Sequence, residues 1–364
     1  MSQITRPLRY ILADGSAWRR KGRLDLLTQS RDNLVYGTYK PTSTTTGLLP
    51  GWVDSETIPG VGEQQLTALN GTQTITTNNT VLQNRDIFGF VNVRAANVQI
   101  INCKIRGNNS ATTEVGIVNA HHQNCVNLLV KDCLLVPDYP SYWITGLFGH
   151  DYTAERCDIH SVVDGFGAFN SNSGHTTDPI YVRIYGSYVH DLSYYSPDPN
   201  HGDNRTHNDG IQIQGSSDII IRGNRFEANA SSTVGDGYNN SVPAPLPVQY
   251  RPSVTGQAIG ITPNVSAVAN TIIDQNWIDY GAQSITIAVN TYNVGSGISI
   301  TNNRFGRNQP NLTKDSVAAR RAIAVQNGVN SITGVPATTG TDTTLGNVYD
   351  DDDSPVTIWR LGAP

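Results

Sequence analysis

The sequence predicts an all-β solenoid built from short, stacked, parallel strands. Three observations carry that expectation. Gly, Asn, Thr, Ser, Ile and Val are plentiful while only 15% of residues are charged, a composition that favours strands and tight turns over helices. Short apolar–polar alternations recur with turn residues between them, and no helical stripe interrupts them. Most specifically, the chain aligns with itself: apolar, any, apolar, any, any, Cys/Ser/Asn, any, apolar.

The first copy of this repeat is Val98, Ile100, Cys103, Ile105, and the second is Leu128, Val130, Cys133, Leu135. Then come Tyr152, Ala154, Cys157, Ile159; Val182, Ile184, Ser187, Val189; Ile219, Ile221, Asn224, Phe226; Thr271, Ile273, Asn276, Ile278; and Ile298, Ile300, Asn303, Phe305. The seven copies lie at intervals of 30, 24, 30, 37, 52 and 27 residues, so the shortest approximates one coil and the longer ones hold insertions. A second strand precedes the copies, at 88–93, 116–119, 166–169, 211–214, 259–262 and 285–289, with one more at 323–326. No such coil can bury its apolar face alone, and stacking solves this. Stacked equivalents sit about 4.8 Å apart. The Cys/Ser/Asn column then becomes an internal ladder, along which Asn224, Asn276 and Asn303 pass amide hydrogen bonds. Cys103, Cys133 and Cys157 become small inward residues on successive coils. Their spacing would accept a disulfide, but free buried thiols are expected of a protein made in a cytoplasm. Without a basic neighbour such thiols are inert.

Taken in order, residues 1–46 read as a small attachment segment or a cap on the solenoid's open end. Residues 47–78 form a Gly/Pro-rich loop leading in, 79–349 the solenoid, and 350–364 an acidic tail. Long insertions fall at 137–142, 171–179, 192–208 and 228–257. The acid run 350–353 reads as solvated, with a calcium site as the alternative.

Net charge is −5. Residues 1–40 carry eight Lys/Arg against three Asp, which leaves −10 for the remainder. An acidic body argues against a nucleic-acid groove. No apolar stretch is long enough to span a membrane, and Arg9 and Asp14 interrupt any signal-peptide core.

The strands and ladder resemble the right-handed parallel β-helix of pectate-lyase-like proteins, over residues 79–349. Within that fold, TTGLLPGW at 45–52, TITTNNTVLQNRDIFGFVNVRAANVQIINCKIRG at 74–107, HNDGIQIQGSSDIIIRGNRF at 207–226 and GNVYDDDDSPV at 346–356 resemble minor tail proteins of actinobacterial phages and related polysaccharide-acting proteins. The resemblance implies a virion tail protein whose β-helix faces host surface polysaccharide and whose N-terminal segment meets other tail proteins. It also implies a homotrimer, although the sequence shows no oligomerisation motif. Cleavage of the polysaccharide, as a lyase or a glycoside hydrolase, stays open. So do a free-standing enzyme and a purely structural tail component.

The candidate chemistry centres on residues 190–214. All eight histidines lie between His121 and His207. Two acid–glycine strand starts, Asp164-Gly165 and Asp209-Gly210, fall on adjacent coils. Carboxylates one strand spacing apart would suit a retaining glycosidase, which needs roughly 5–5.5 Å between them, and would raise each other's pKa. His207 is the companion acid or base. The competing reading is a turn in which each Asp bonds backbone. Outward Gln212 and Gln214, with Gly260, Thr262, Thr286 and Ala288, form a small polar column suited to hydrogen-bonding a glycan. Tyr194, Tyr195, Tyr238 and Tyr250 are candidate sugar-stacking rings, with loop packing as the alternative. A uronate-lyase scheme, implied by the resemblance, would draw on Arg183, Arg205 or Arg222, with calcium held by Asp198, Asp203 and Asp209.

Overall fold

A computed structural model describes residues 31, 34–169, 181–199, 201–202, 204–231, 256–309, 322–326, 329, 332–333, 340–341 and 345–361. They form a parallel β-helix with three long sheets, each taking one strand from every coil. Sheet 1 holds eleven strands, running from Gln73–Ile75 and Val91–Val93 to Thr357–Leu361. Sheet 2 holds nine, from Val81–Gln83 to Ile332–Thr333, and sheet 3 holds ten, from Thr67–Asn70 to Val348–Tyr349. Pairing within them is parallel except between Gly340–Thr341 and Thr357–Leu361.

The sequence repeat is the passage from sheet 2 to sheet 3. Its first two apolar positions point inward from sheet 2 and its last from sheet 3, and all are buried. Between them the chain turns on a single left-handed residue: Asn102, Asp132, Arg156, Gly186, Gly223, Gln275, Asn302 and Gly346 have φ between 50° and 68°. The next residue is the ladder position. Cys133 and Cys157 direct their thiols at the carbonyls of Ile100 and Val130 on the preceding coil, each at 3.5 Å. Asn224, Asn276 and Asn303 do the same more strongly, donating to Ile184, Ile221 and Ile273 at 2.9–3.0 Å. Their Oδ1 atoms accept backbone N–H groups in return, Ser187 to Asn224 at 2.8 Å and Asn224 to Asn276 at 2.9 Å. Asn347 extends the ladder by one coil, accepting from Asn303 at 3.1 Å. Cys103, Cys125, Cys133 and Cys157 are all free and buried. Burial pushes the thiols of Cys125 and Cys157 up to about 12.

Three details differ from the sequence expectation. The stretch 88–93 is split: Arg85–Phe88 belongs to sheet 3 and Val91–Val93 to sheet 1. A Cβ on Gly89 between them would sit 2.3 Å from the Gly71 carbonyl carbon, so only glycine fits that corner. The shortest coil is 18 residues, seen in Asn102 Nδ2 donating to Asn84 Oδ1 at 2.8 Å, rather than 24. The sheet-1 strand Ile144–Gly149, entirely buried, carries no clean alternation and is absent from the repeat pattern.

Residues 34–57 lie lengthwise along the outside of the sheet 2–sheet 3 turns. Tyr36 stacks on Tyr185 with centroids 5.4 Å apart. Gly47 N–H donates to Arg156 at 2.8 Å, Leu49 N–H to Asn102 Oδ1 at 2.8 Å, and Ser55 bonds Asp86 through both N–H and hydroxyl. Beneath this strap, Arg156 clamps Asp132 at 2.8 and 2.9 Å, and Arg106 clamps Asp86 at 2.7 and 2.8 Å. The acid run is ion-paired: Asp350 to Lys40 and Arg304, and Asp351 and Asp352 to Arg307. Its carboxylates therefore meet lysine and arginine side chains.

Candidate functional site

The corner leading from sheet 3 into sheet 1 brings together the two acid–glycine starts. Phe166 pairs with Ile211 and Ile211 with Ile259, so Asp164, Asp209 and Gln257 stack on successive coils. Asp164 Oδ1 accepts the Asp209 N–H at 2.7 Å, and Asp209 Oδ1 accepts the Gln257 N–H at 2.6 Å. Glycine must follow each Asp, because a Cβ on Gly165 or Gly210 would lie 2.5–2.6 Å from its neighbours. The adjacency read from the sequence is present, and so is the backbone-capping role of the competing turn.

Both carboxyls are buried, Asp164 at 8% exposure and Asp209 at 3%. Burial, reinforced by the Asp209 charge, raises Asp164 well above the carboxylate range despite the Asp209 N–H bond. Burial likewise raises Asp209 to about 7, against the lowering effect of the Gln257 N–H and the Gln212 side chain. The pair therefore retains a proton close to neutrality.

The insertion 192–208 folds over this corner. Leu192–Ser193 pairs with Ala230–Ser231, Thr206 and Tyr195 exchange hydrogen bonds, and Asn208 Nδ2 donates to Val163 and Ser193 carbonyls at 3.0 and 2.8 Å. That anchoring buries Tyr194 and Tyr195, at 1% and 8% exposure. Neither ring offers a face to a sugar; both pack the loop. Tyr238 and Tyr250 lie outside the described residues. His207 is half-buried and stacks on His201, centroids 4.5 Å apart. His201 in turn is hydrogen-bonded through Nδ1 to the carboxylate of buried Asp198. Glu114, exposed at the start of Val115–Ala120, is close enough for its charge to act on both His201 and Asp164.

Glu114 and the Asp198–His201 dyad are additions to the residues legible in the sequence. The dyad's spacing, DPNH within a Pro/Asn-rich loop, was its one sequence signal; Glu114 had none, because its partners come from distant insertions. Asp198 serves His201 and Asp209 serves Gln257 and Gln212, while Asp203 lies outside the described residues. No three His, Cys, Asp or Glu side chains converge to hold a metal among the described residues. Arg183 is bound to Asp218 and Arg222 to Asp274, both on sheet 2 and away from the corner, and Arg205 is exposed on the insertion.

The outward column of sheet 1 is open unevenly. Gln212 and Gln214 are half-buried, as is Thr262, whereas Gly260, Thr286 and Ala288 are buried. Towards the N-terminal coils, Asn92 pairs with Asn119 on the exposed side, and Phe148 and Phe169 form an edge-to-face wall at 4.5 Å beside His121.

No family model and no curated protein matches this chain. Among solved structures, it is similar to QnrB1, a plasmid-mediated fluoroquinolone resistance protein, at 10% identity and a TM-score of 0.29, over 72% of this chain and 92% of that one. It is also similar to the Dettilon tailspike protein, at 13% identity and a TM-score of 0.29, over 83% of this chain and 62% of that one.

Proposed function

We propose that this chain is a bacteriophage tail protein whose β-helix lies against host cell-envelope polysaccharide, with residues 1–46 joining it to other tail proteins. The observation that carries the polysaccharide contact is the outward face of sheet 1. There Asn92 and Asn119 present amides from adjacent coils, and Gln212 and Gln214 present them three coils beyond Asn119, past Phe148 and Gly167, all from one rigid scaffold of stacked strands. An elongated face with polar groups at two separated stretches suits a polymer better than a small compact ligand. The tail assignment rests on the sequence resemblance at 45–52, 74–107, 207–226 and 346–356.

A second reading, cleavage of that polymer, is favoured by one specific observation: a carboxyl pair in which Asp209 is raised to about 7, with Glu114 close enough for its charge to act on Asp164 and on His201 of the Asp198–His201 dyad. Asp164 and Asp209 would hold the proton, and His201 or His207 would be the solvent-side acid or base. Whether the chain assembles as a homotrimer belongs to the same proposal.

Purified protein is incubated with uronate polymers and host-envelope glycan while reducing ends and unsaturated-product absorbance are followed. Cleavage predicts product that Asp164→Asn and Asp209→Asn each reduce by about a hundredfold or more. Product formation unchanged in both variants contradicts the catalytic assignment. Immunogold labelling of particles separates a tail component, which decorates the tail tip, from a free-standing enzyme, which does not.

A further inference from the structure

Away from the corner, the outward face of sheet 1 forms a cleft of about 260 Å3 at its N-terminal coils, lined by Asn92, Val93, Arg94, Asn119, His121 and His122. This is smaller than the roughly 300–1,000 Å3 of a pocket that engulfs a small molecule. It fits one substituent of a longer chain. Among the described residues no acidic side chain lines it, in a protein whose net charge is −5.

Its polar groups are set to donate. Asn119 Oδ1 already accepts the His121 N–H at 3.0 Å, which leaves its amide NH2 as the available group. His122 Nδ1 accepts the Asn124 N–H at 3.1 Å, which puts the ring proton on Nε2. The Arg94 guanidinium is exposed and makes no ion pair with a described residue. Arg94 and His121 follow the paired residues Asn92 and Asn119, so they stand one coil apart. The His121 ring is held in place by Phe148 and Phe169, at 5.3 and 5.6 Å. A permanent cation, an imidazole N–H and side-chain amides, with no carboxylate among these described groups, match an oxyanion.

We infer that this cleft is a subsite for an oxyanion borne on a sugar chain, either a uronate carboxylate or a phosphodiester. The inference rests on the polysaccharide-binding reading and sharpens it: the polymer is acidic, and its charged group is read by Arg94, Asn119 and His122.

Calorimetric titration of the full chain tests this with three probes: an oligogalacturonate, a glycerol-phosphate oligomer and a neutral dextran oligomer. The expected result is that an anionic oligomer binds at least about tenfold more tightly than dextran, and less tightly as salt is added. Arg94→Ala weakens that binding about tenfold or more with an unchanged melting temperature, and Asn119→Asp weakens it as well. Preference for the oligogalacturonate or for the phosphate oligomer identifies which oxyanion is read. Equal affinity for dextran, or wild-type affinity in Arg94→Ala, overturns the inference. So does failure of all three probes to bind. In that last case, binding of the same protein to other, neutral envelope glycans would leave the polysaccharide reading standing.

Discussion

Asp164 and Asp209 show how one residue type can serve a turn and hold a proton at once. Each carboxylate caps the backbone N–H of the next coil, and burial holds both acids above their ordinary range. An acid whose pKa is raised on folding binds more protons in the native state than in the unfolded one, so stability falls as pH climbs between the two values. The wild-type melting temperature should therefore decline between about pH 4, the unfolded value, and about pH 7. Asp209→Asn keeps an acceptor for the Gln257 N–H and removes this titration, so its profile should be flatter over that window. Asp209→Ala strands the N–H and should cost about 1–3 kcal/mol in denaturant unfolding. His190 has the opposite sign. Burial alone would lower it, but hydrogen bonds to Asp158 and Asp191 raise it to about 9. Its contribution is full below about pH 6.5 and is lost as pH rises through about 9. Thermal melts of His190→Gln should lack the alkaline decline of the wild type.

At the level of elements, the ladder and the carboxyl pair were legible and the loop that covers the pair was not. Seven ladder positions could be read because the left-handed turn fixes the distance between the last inward residue of sheet 2 and the first of sheet 3. No insertion can enter that turn without breaking the stack. The other two corners accept loops of any length, so Ile144–Gly149 had no register to align and Asn347 fell after a long gap. The pairing of Asp164 with Asp209 followed from the same register. The burial of Tyr194 and Tyr195, the Asp198–His201 dyad and Glu114 did not, since they depend on where the 192–208 insertion lands. The open cleft was within reach: the alternation that put Gln212 outward also puts Asn92 and Arg94 outward, four sheet-1 strands earlier. Two substitutions test the elements. Asn276→Ala removes the acceptor for Asn224 N–H and the donor to Ile221 O, both fully buried, and should cost at least about 3 kcal/mol in denaturant unfolding. Gly223 has φ +67°, and a Cβ there would stand 2.4 Å from the Gly37 nitrogen. Gly223→Ala should lift the strap, seen as faster amide exchange at residues 36–47 while the ladder stays protected.

At the scale of the molecule, a solenoid with one strand per sheet per coil sets equivalent outward positions about 4.8 Å apart along its length. The three sheets differ in what they can offer. The turns between sheets 2 and 3 are occupied by the strap and its Arg–Asp clamps. Sheet 1 has polar side chains facing out, open at Asn92, Arg94 and Asn119 and bordered by the carboxyl corner further along. The central claim is that a polysaccharide runs along that face. It is tested most directly by glycan-array binding of the purified full chain, compared with an Asn92→Ala/Asn119→Ala/Arg94→Ala variant that melts at the wild-type temperature. The account predicts binding to one class of envelope polysaccharide and its loss in the variant. Binding to no glycan, or binding that the variant retains in full, would contradict it.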